Sequence, residues 1–203
     1  MSKLVPHEEN LTARYAERAA RMVPSEIRSL FAVASRPEIV SLAGGMPNLS
    51  ALPMEMMADV VKKLILDNGQ EALQYGSGQG HPRLREQICE MMALEGIRAK
   101  SDDVVITTGS QAALDLITRI FIDPGDVILV EAPSYVGALG VFAQYQSQVV
   151  HVAIDDKGLI PAALTEAITK VRAAGGKIKF LYCIPNFQNP SGVTMPASRR
   201  TEI

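Results

Sequence analysis

Two runs, DVILVE at residues 126–131 and IKFLYCI at 178–184, decide the fold class. Each is short, rich in branched or aromatic side chains and flanked by turn formers, which predicts a strand, and IKFLYCI is apolar enough to be buried on both faces. Nearby, DVVITT (103–108) reads the same way, and QVVHVAI (148–154) alternates less cleanly. Between these runs the apolar period becomes helical. Ala113, Leu116, Ile117, Ile120 and Phe121 share one helical face, and Leu164, Ala167, Ile168 and Val171 share another. Strands alternating with helices predict an α/β fold: a mostly parallel sheet, right-handed crossovers and helices on both faces.

The N-terminal quarter is organised differently. A polar, helical opening leads to VPSEIRSLFAVASRP (23–37), where Pro24 and Ser25 can start a helix and Pro37 lies just beyond its end. IVSLAGGMPN (39–48) reads as extended. From Pro53, the apolar positions Met57, Val60, Val61 and Leu64 predict an amphipathic helix that Gly69 can terminate. A further helix is predicted from about Pro82 to Leu94, with Gly96 beyond it. The loop between them, LQYGSGQG (73–80), is glycine-rich but lacks the Gly-Lys-Ser/Thr that a nucleotide P-loop needs.

Composition narrows the function. With 47% hydrophobic and 21% charged residues, the chain reads as globular, and a net charge of -2 with interspersed signs gives no footprint for nucleic acid. No apolar run reaches the ~20 residues that span a bilayer, and no basic-then-apolar leader opens the sequence. Cys89 and Cys183 sit far apart in apolar segments, as reduced thiols do, and His7, His81 and His151 lack ligand spacing, so no metal site is expected. These features together predict a cytoplasmic protein.

In an open parallel sheet, ligands gather at the carboxyl ends of the strands. Three loops fall there: TGSQAA (108–113), APSYVG (132–137) and PNFQNPSG (185–192). Gly109, Ser110 and Gln111 open a helix, where outward N–H groups suit an anion such as a phosphate, although Ser110 also suits a plain helix cap. Tyr135 can stack on a flat heteroaromatic ring or simply pack. Asn189, in a turn set by Pro190 and Gly192, can donate to a phenolic oxygen or serve the turn alone. Anion cradle, aromatic face and amide donor together describe a pocket for a phosphorylated aromatic cofactor.

SLAGGMPN (41–48), LQYGSGQGHPRLRE (73–86), VVITTGSQAALDL (104–116), DPGDVILVEAPSY (123–135) and NFQNPSG (186–192) stand in one order along nearly the whole chain. In that order the chain resembles the fold-type I aminotransferases that use pyridoxal 5'-phosphate, and is similar to their 2-aminoadipate and kynurenine branch. The resemblance implies that residues 1–52 form an N-terminal arm and small-domain segment, and that 53–203 begin the large cofactor-binding domain. It implies that Ser110 and Gln111, beside Gly109, bind the phosphate, that Tyr135 stacks on the ring and that Asn189 meets the phenolic oxygen. Tyr75 resembles the tyrosine that reaches the phosphate of the neighbouring subunit, which implies a homodimer. Gly45 and Asn189 match positions near the substrate carboxylate, and Arg28 lies where relatives keep an arginine for an acidic substrate side chain.

The expected reaction is transamination between an amino acid and a 2-oxo acid, 2-oxoglutarate and glutamate among them. Same-fold lyases and decarboxylases, and non-catalytic aminotransferase-like domains, are the alternatives. In the family, the Schiff-base lysine, the acid facing the pyridine nitrogen and the carboxylate-clamping arginine all follow the Asn-Pro-Ser/Thr-Gly turn. None of the eight lysines here stands in that place. The resemblance therefore implies an N-terminal half, inactive alone, with its catalytic lysine downstream of Ile203.

Overall fold

The computed structural model describes residues 11–21, 33, 36, 38–40 and 49–203. The helix expected over 23–37 and the extended stretch at 39–48 lie outside the described residues, apart from isolated positions. The polar opening forms two short 3-10 turns, Leu11–Arg14 and Glu17–Arg21. By contact density the chain divides into two compact units, Leu30–Ser110 and the combination of Met1–Ser29 with Gln111–Ile203.

The second of these units holds the sheet. Its strands are β1 (Val127–Ala132), β2 (Gln148–Asp155), β3 (Gly158–Leu159) and β4 (Ile178–Tyr182), in the order β3-β2-β1-β4. β1 runs parallel to both β2 and β4, and only the two-residue β3 is antiparallel, returning on β2 through Gly158 at φ +88. The predicted parallel α/β sheet is thus present.

Alternation along β1 builds a core on each face, because successive side chains point to opposite sides. Val127 and Leu129 pack with Val152, Leu159 and Met195 and with Leu164 and Val171 from a helix at Pro161–Ala173. Ile128 and Val130 pack on the other side with Ile122 and with Ala138 and Phe142 from a helix at Val136–Gln144. Phe142 meets the rings of Phe180 and Tyr182 edge-on, with centroids 6.0 and 5.5 Å apart.

In the Leu30–Ser110 unit, helix α1 (Met54–Ala72) bends at Asn68 (φ -138) and runs past Gly69, because Gly69 keeps ordinary helical backbone there. Its stripe of Met57, Val60, Val61 and Leu64 is exposed. Helix α2 spans Pro82–Leu94, as the sequence predicts, and Gly96 follows at φ +78. In chain order the remaining helices are α3 (Gly109–Phe121), α4 (Val136–Gln144), α5 (Pro161–Ala173) and α6 (Ala197–Glu202).

Two expectations change. DVVITT does not form a strand: Val104 has extended dihedrals, but among the described residues the only backbone bond from the run to a distant segment is Ile106 N to Gln79 O at 2.8 Å. A strand needs a continuous ladder with a neighbour, and β propensity alone cannot supply one. β4 is half-buried throughout rather than buried on both faces, because it ends the sheet among the described residues.

Candidate functional site

Parallel pairing of β1 with β4, with Val130 opposite Tyr182, sets the carboxyl ends of these two strands side by side. The chain leaving β1 carries Pro133, Ser134 and Tyr135, and the chain leaving β4 carries the Asn189 turn. Two of the three loops expected at strand ends are therefore neighbours. The third, at 108–113, follows a segment that does not join the sheet.

Tyr135 stands at the N-cap of α4, where its extended backbone (φ -66, ψ 116) turns the chain into the helix. The ring is half-buried against the Ile128 and Phe142 cluster. It lies back over the first turn of its own helix, so that a Cβ on Gly137 would overlap its phenol end. A side chain at 137 would have to displace the ring, a constraint the sequence does not announce. Gln111 reaches the same turn, donating through Nε2 to the Gly137 carbonyl at 3.1 Å, and so ties α3 to α4.

Gly109 opens α3 at φ +78, a conformation that favours glycine, and its carbonyl accepts the Thr107 hydroxyl at 3.0 Å. Ser110 lies exposed in the first helical turn rather than at the cap. The first-turn N–H groups of α3 and this hydroxyl form a neutral donor set suited to an anion.

Asn189 sits exposed at the crest of a turn that Gly192 closes by donating its N–H to the Gln188 carbonyl, with Gly192 at φ +75. Just before it, Phe187 is held at φ +50, a region that a bulky residue seldom occupies. The loop is fastened on both flanks. Phe187 N donates to Thr194 Oγ1 at 3.1 Å, Met195 N to the Pro185 carbonyl at 2.8 Å, and Arg200 of α6 donates to Asn186 Oδ1 at 2.6 Å.

Beneath this loop lie side chains that no sequence signal singles out. Glu131, at 0% exposure, is the penultimate residue of β1, and Gln188, at 2%, precedes Asn189. A polar residue at a strand end and a glutamine among turn formers carry no periodic signal. The density of polar and cyclic residues in CIPNFQNPSG (183–192) is the one trace that Gln188 leaves in the sequence. Burial, with the Tyr135 hydroxyl and Glu131 contributing less, pushes the Tyr182 phenol up. Burial and then Glu131 push the Cys183 thiol up, so it stays protonated and is a poor nucleophile.

Tyr75 belongs to the Leu30–Ser110 unit and is 99% exposed. The far end of its loop is fixed. Buried Arg85 donates to Gln79 Oε1 at 3.2 Å and to the Ser101 carbonyl at 2.9 Å, and Gly80 presses so closely on Ile106 that a Cβ there would overlap it. Gly45 and Arg28 lie outside the described residues. Among the described residues no cluster of His, Cys, Asp and Glu is grouped to hold a metal ion, and no helix is long and apolar enough to cross a membrane.

Comparison with known proteins gives this geometry a setting. The family profile described as "Aminotransferase class I and II" matches residues 37–203. The chain is 40% identical over 190 residues to aromatic-amino-acid aminotransferase 1 of Thermococcus litoralis, covering 93% of this chain and 46% of that protein. It superposes on the Pyrococcus horikoshii kynurenine aminotransferase, solved with PMP, with a TM-score of 0.86 at 38% identity, over 95% of this chain and 48% of that one. Against the α-aminoadipate aminotransferase of Thermus thermophilus, complexed with N-(5'-phosphopyridoxyl)-L-leucine, the TM-score is 0.81 at 35% identity, over 94% and 45%. The chain spans about half the length of the relatives it matches.

Proposed function

Because the chain belongs to the class I and II aminotransferase family, we propose that it is the N-terminal part of a pyridoxal 5'-phosphate enzyme that moves an amino group between an amino acid and a 2-oxo acid. Glutamate and 2-oxoglutarate are the returning pair. The observation that carries this reading is the adjacency of the loops after β1 and β4, which bear Tyr135 and Asn189, with Gln111 hydrogen-bonded to the turn that seats Tyr135.

The residues present fit the cofactor by the chemistry of their donors. First-turn N–H groups of α3 and the Ser110 hydroxyl would hold the phosphate. The half-buried Tyr135 ring offers a flat face whose rotation Gly137 and the Phe142 cluster restrict, so it would orient the pyridine plane with little entropy left to lose. The Asn189 amide, aimed by its closed turn, would donate to the phenolic oxygen. When bound, the cofactor supplies an electron sink that eases loss of the amino-acid α-proton. The lysine that would hold it covalently is assigned to no residue of this chain. Tyr75, exposed in its own unit, is assigned to the phosphate of a second subunit, which makes the full-length protein a two-fold dimer.

The test is made on the full-length protein. Titration with pyridoxal 5'-phosphate should give a saturable visible band, and glutamate should pass its labelled amino nitrogen to an added 2-oxo acid. Ser110→Ala should weaken cofactor binding by ~1 kcal/mol or somewhat more, the scale of one hydrogen bond to a charged group. Unchanged cofactor affinity in that variant overturns the phosphate assignment, and absence of any amino transfer overturns the reaction.

A further inference from the structure

We propose that Glu131 and Gln188 are positioning residues: together they form a buried clamp that fixes the Asn189 turn relative to the Tyr135 segment, and so sets how the cofactor ring is held. The proposal rests on the functional reading above and deepens it.

The Gln188 side chain joins two segments, the exit from β1 and its own turn. Its Nε2 donates to the Pro133 carbonyl at 2.8 Å, two residues before Tyr135, and to Glu131 Oε2 at 3.4 Å. Its Oε1 accepts from Ser191 N at 2.9 Å, on the far side of the Asn189 turn. These partners leave only one orientation for the amide, since a carbonyl and a carboxylate can only accept and a backbone N–H can only donate. The Gln188 backbone donates to the Val193 carbonyl at 2.8 Å, closing the turn from beneath. Glu131 Oε2 also accepts from Ile184 N at 2.9 Å, where the chain leaves β4. One carboxylate oxygen and one amide therefore join the end of β1, the exit from β4 and both limbs of the turn.

Stability alone does not account for this arrangement. A fully buried carboxylate is costly, and Glu131 Oε1 is buried with no hydrogen-bond partner among the described residues. A loop needed only to reverse direction would not require it. What the clamp uniquely defines is the spacing between Tyr135, which follows Pro133, and Asn189, which lies between Gln188 and Ser191.

Gln188→Met keeps the volume of the side chain and removes its hydrogen bonds. In the full-length protein it should bind pyridoxal 5'-phosphate about tenfold more weakly, and should move the pH midpoint of the visible band in the same direction as Asn189→Ala. Because Gln188 acts through Asn189, the double variant should lose much less than the product of the two single losses. Should Gln188→Met not fold, Glu131→Gln replaces it in the same cycle. That variant keeps an oxygen for Ile184 N and should weaken binding a few-fold. Losses that multiply, or wild-type binding in Gln188→Met, overturn the clamp alone. Wild-type binding and an unmoved band in Asn189→Ala overturn the cofactor site and the clamp with it.

Discussion

The two faces of the sheet are built from the same strand yet end differently. On the face carrying Val127 and Leu129, α5 lays Leu164 and Val171 into the core, its predicted apolar stripe faces the sheet, and Met195 seals the end near Gly158. On the face carrying Ile128 and Val130, α4 supplies Ala138 and Phe142, but α3 packs through Leu114 and buried Thr118 instead of its predicted stripe. Leu116, Ile117, Ile120 and Phe121 are exposed, and a cavity of about 420 Å3 opens along β4 among Leu114, Phe142, Phe180 and Tyr182. The open face is also the one that seats Tyr135. An apolar stripe thus states what must be covered but not by what.

Phe142 gives the most severe test of this contrast. It is 1% exposed and bridges two aromatic rings, so Phe142→Ala should cost about 3–5 kcal/mol in denaturant unfolding, as much as a truncation in a closed core. A cost below about 1 kcal/mol would mean that the open face is not packed around this ring.

Gly137→Ala should come next, since the new methyl displaces the Tyr135 ring from its seat. Overpacking of this kind costs about 1–3 kcal/mol, and weaker cofactor binding should accompany it. A variant matching wild type in both unfolding and cofactor titration would show that the ring is not held against α4.

Two carboxylates of the sheet unit are held below their usual range. A hydrogen bond from Asp123 N lowers Asp126 first, with Lys179 at 3.0 Å helping, and a bond from Lys157 N lowers Asp155 first, with Arg199 at 3.2 Å helping. A carboxylate lowered on folding stabilises the native state fully above its unfolded value, about 3.9, and loses that contribution as the pH falls through the folded value. The stability gap between wild type and Asp126→Asn should therefore be wider at pH 7 than at pH 3, and so should the gap for Asp155→Asn. A gap that widens in acid would reverse the assignment. The smallest effect belongs to the exposed stripe: Ile120, 73% exposed, should tolerate replacement by serine within about 0.5 kcal/mol, and a larger loss would mean that something covers it.

Much of this architecture was legible in the residues. DVILVE, QVVHVAI and IKFLYCI announce β1, β2 and β4, and Pro82 with Gly96 brackets α2. β3 escapes because two residues are too few to show a period, and DVVITT misleads because its composition is that of β1 while its pairing is not. Tyr135 and Asn189 were readable as site candidates from turn chemistry and motif order. Gly137, Glu131 and Gln188 were not, since their parts depend on atoms held in place by the fold: the Glu131 carboxylate meets Gln188 across 57 positions.

Local chemistry was enough to set most of the strand and helix content, the turn at Asn189 and the family, because propensity, periodicity and motif order act over a few neighbouring residues at a time. Which run joins the sheet, which stripe is covered and which polar side chains lie beneath the loops depended on the folded chain. Ladder pairing, burial and buried hydrogen bonds require two distant segments to meet, and neither segment alone encodes its partner.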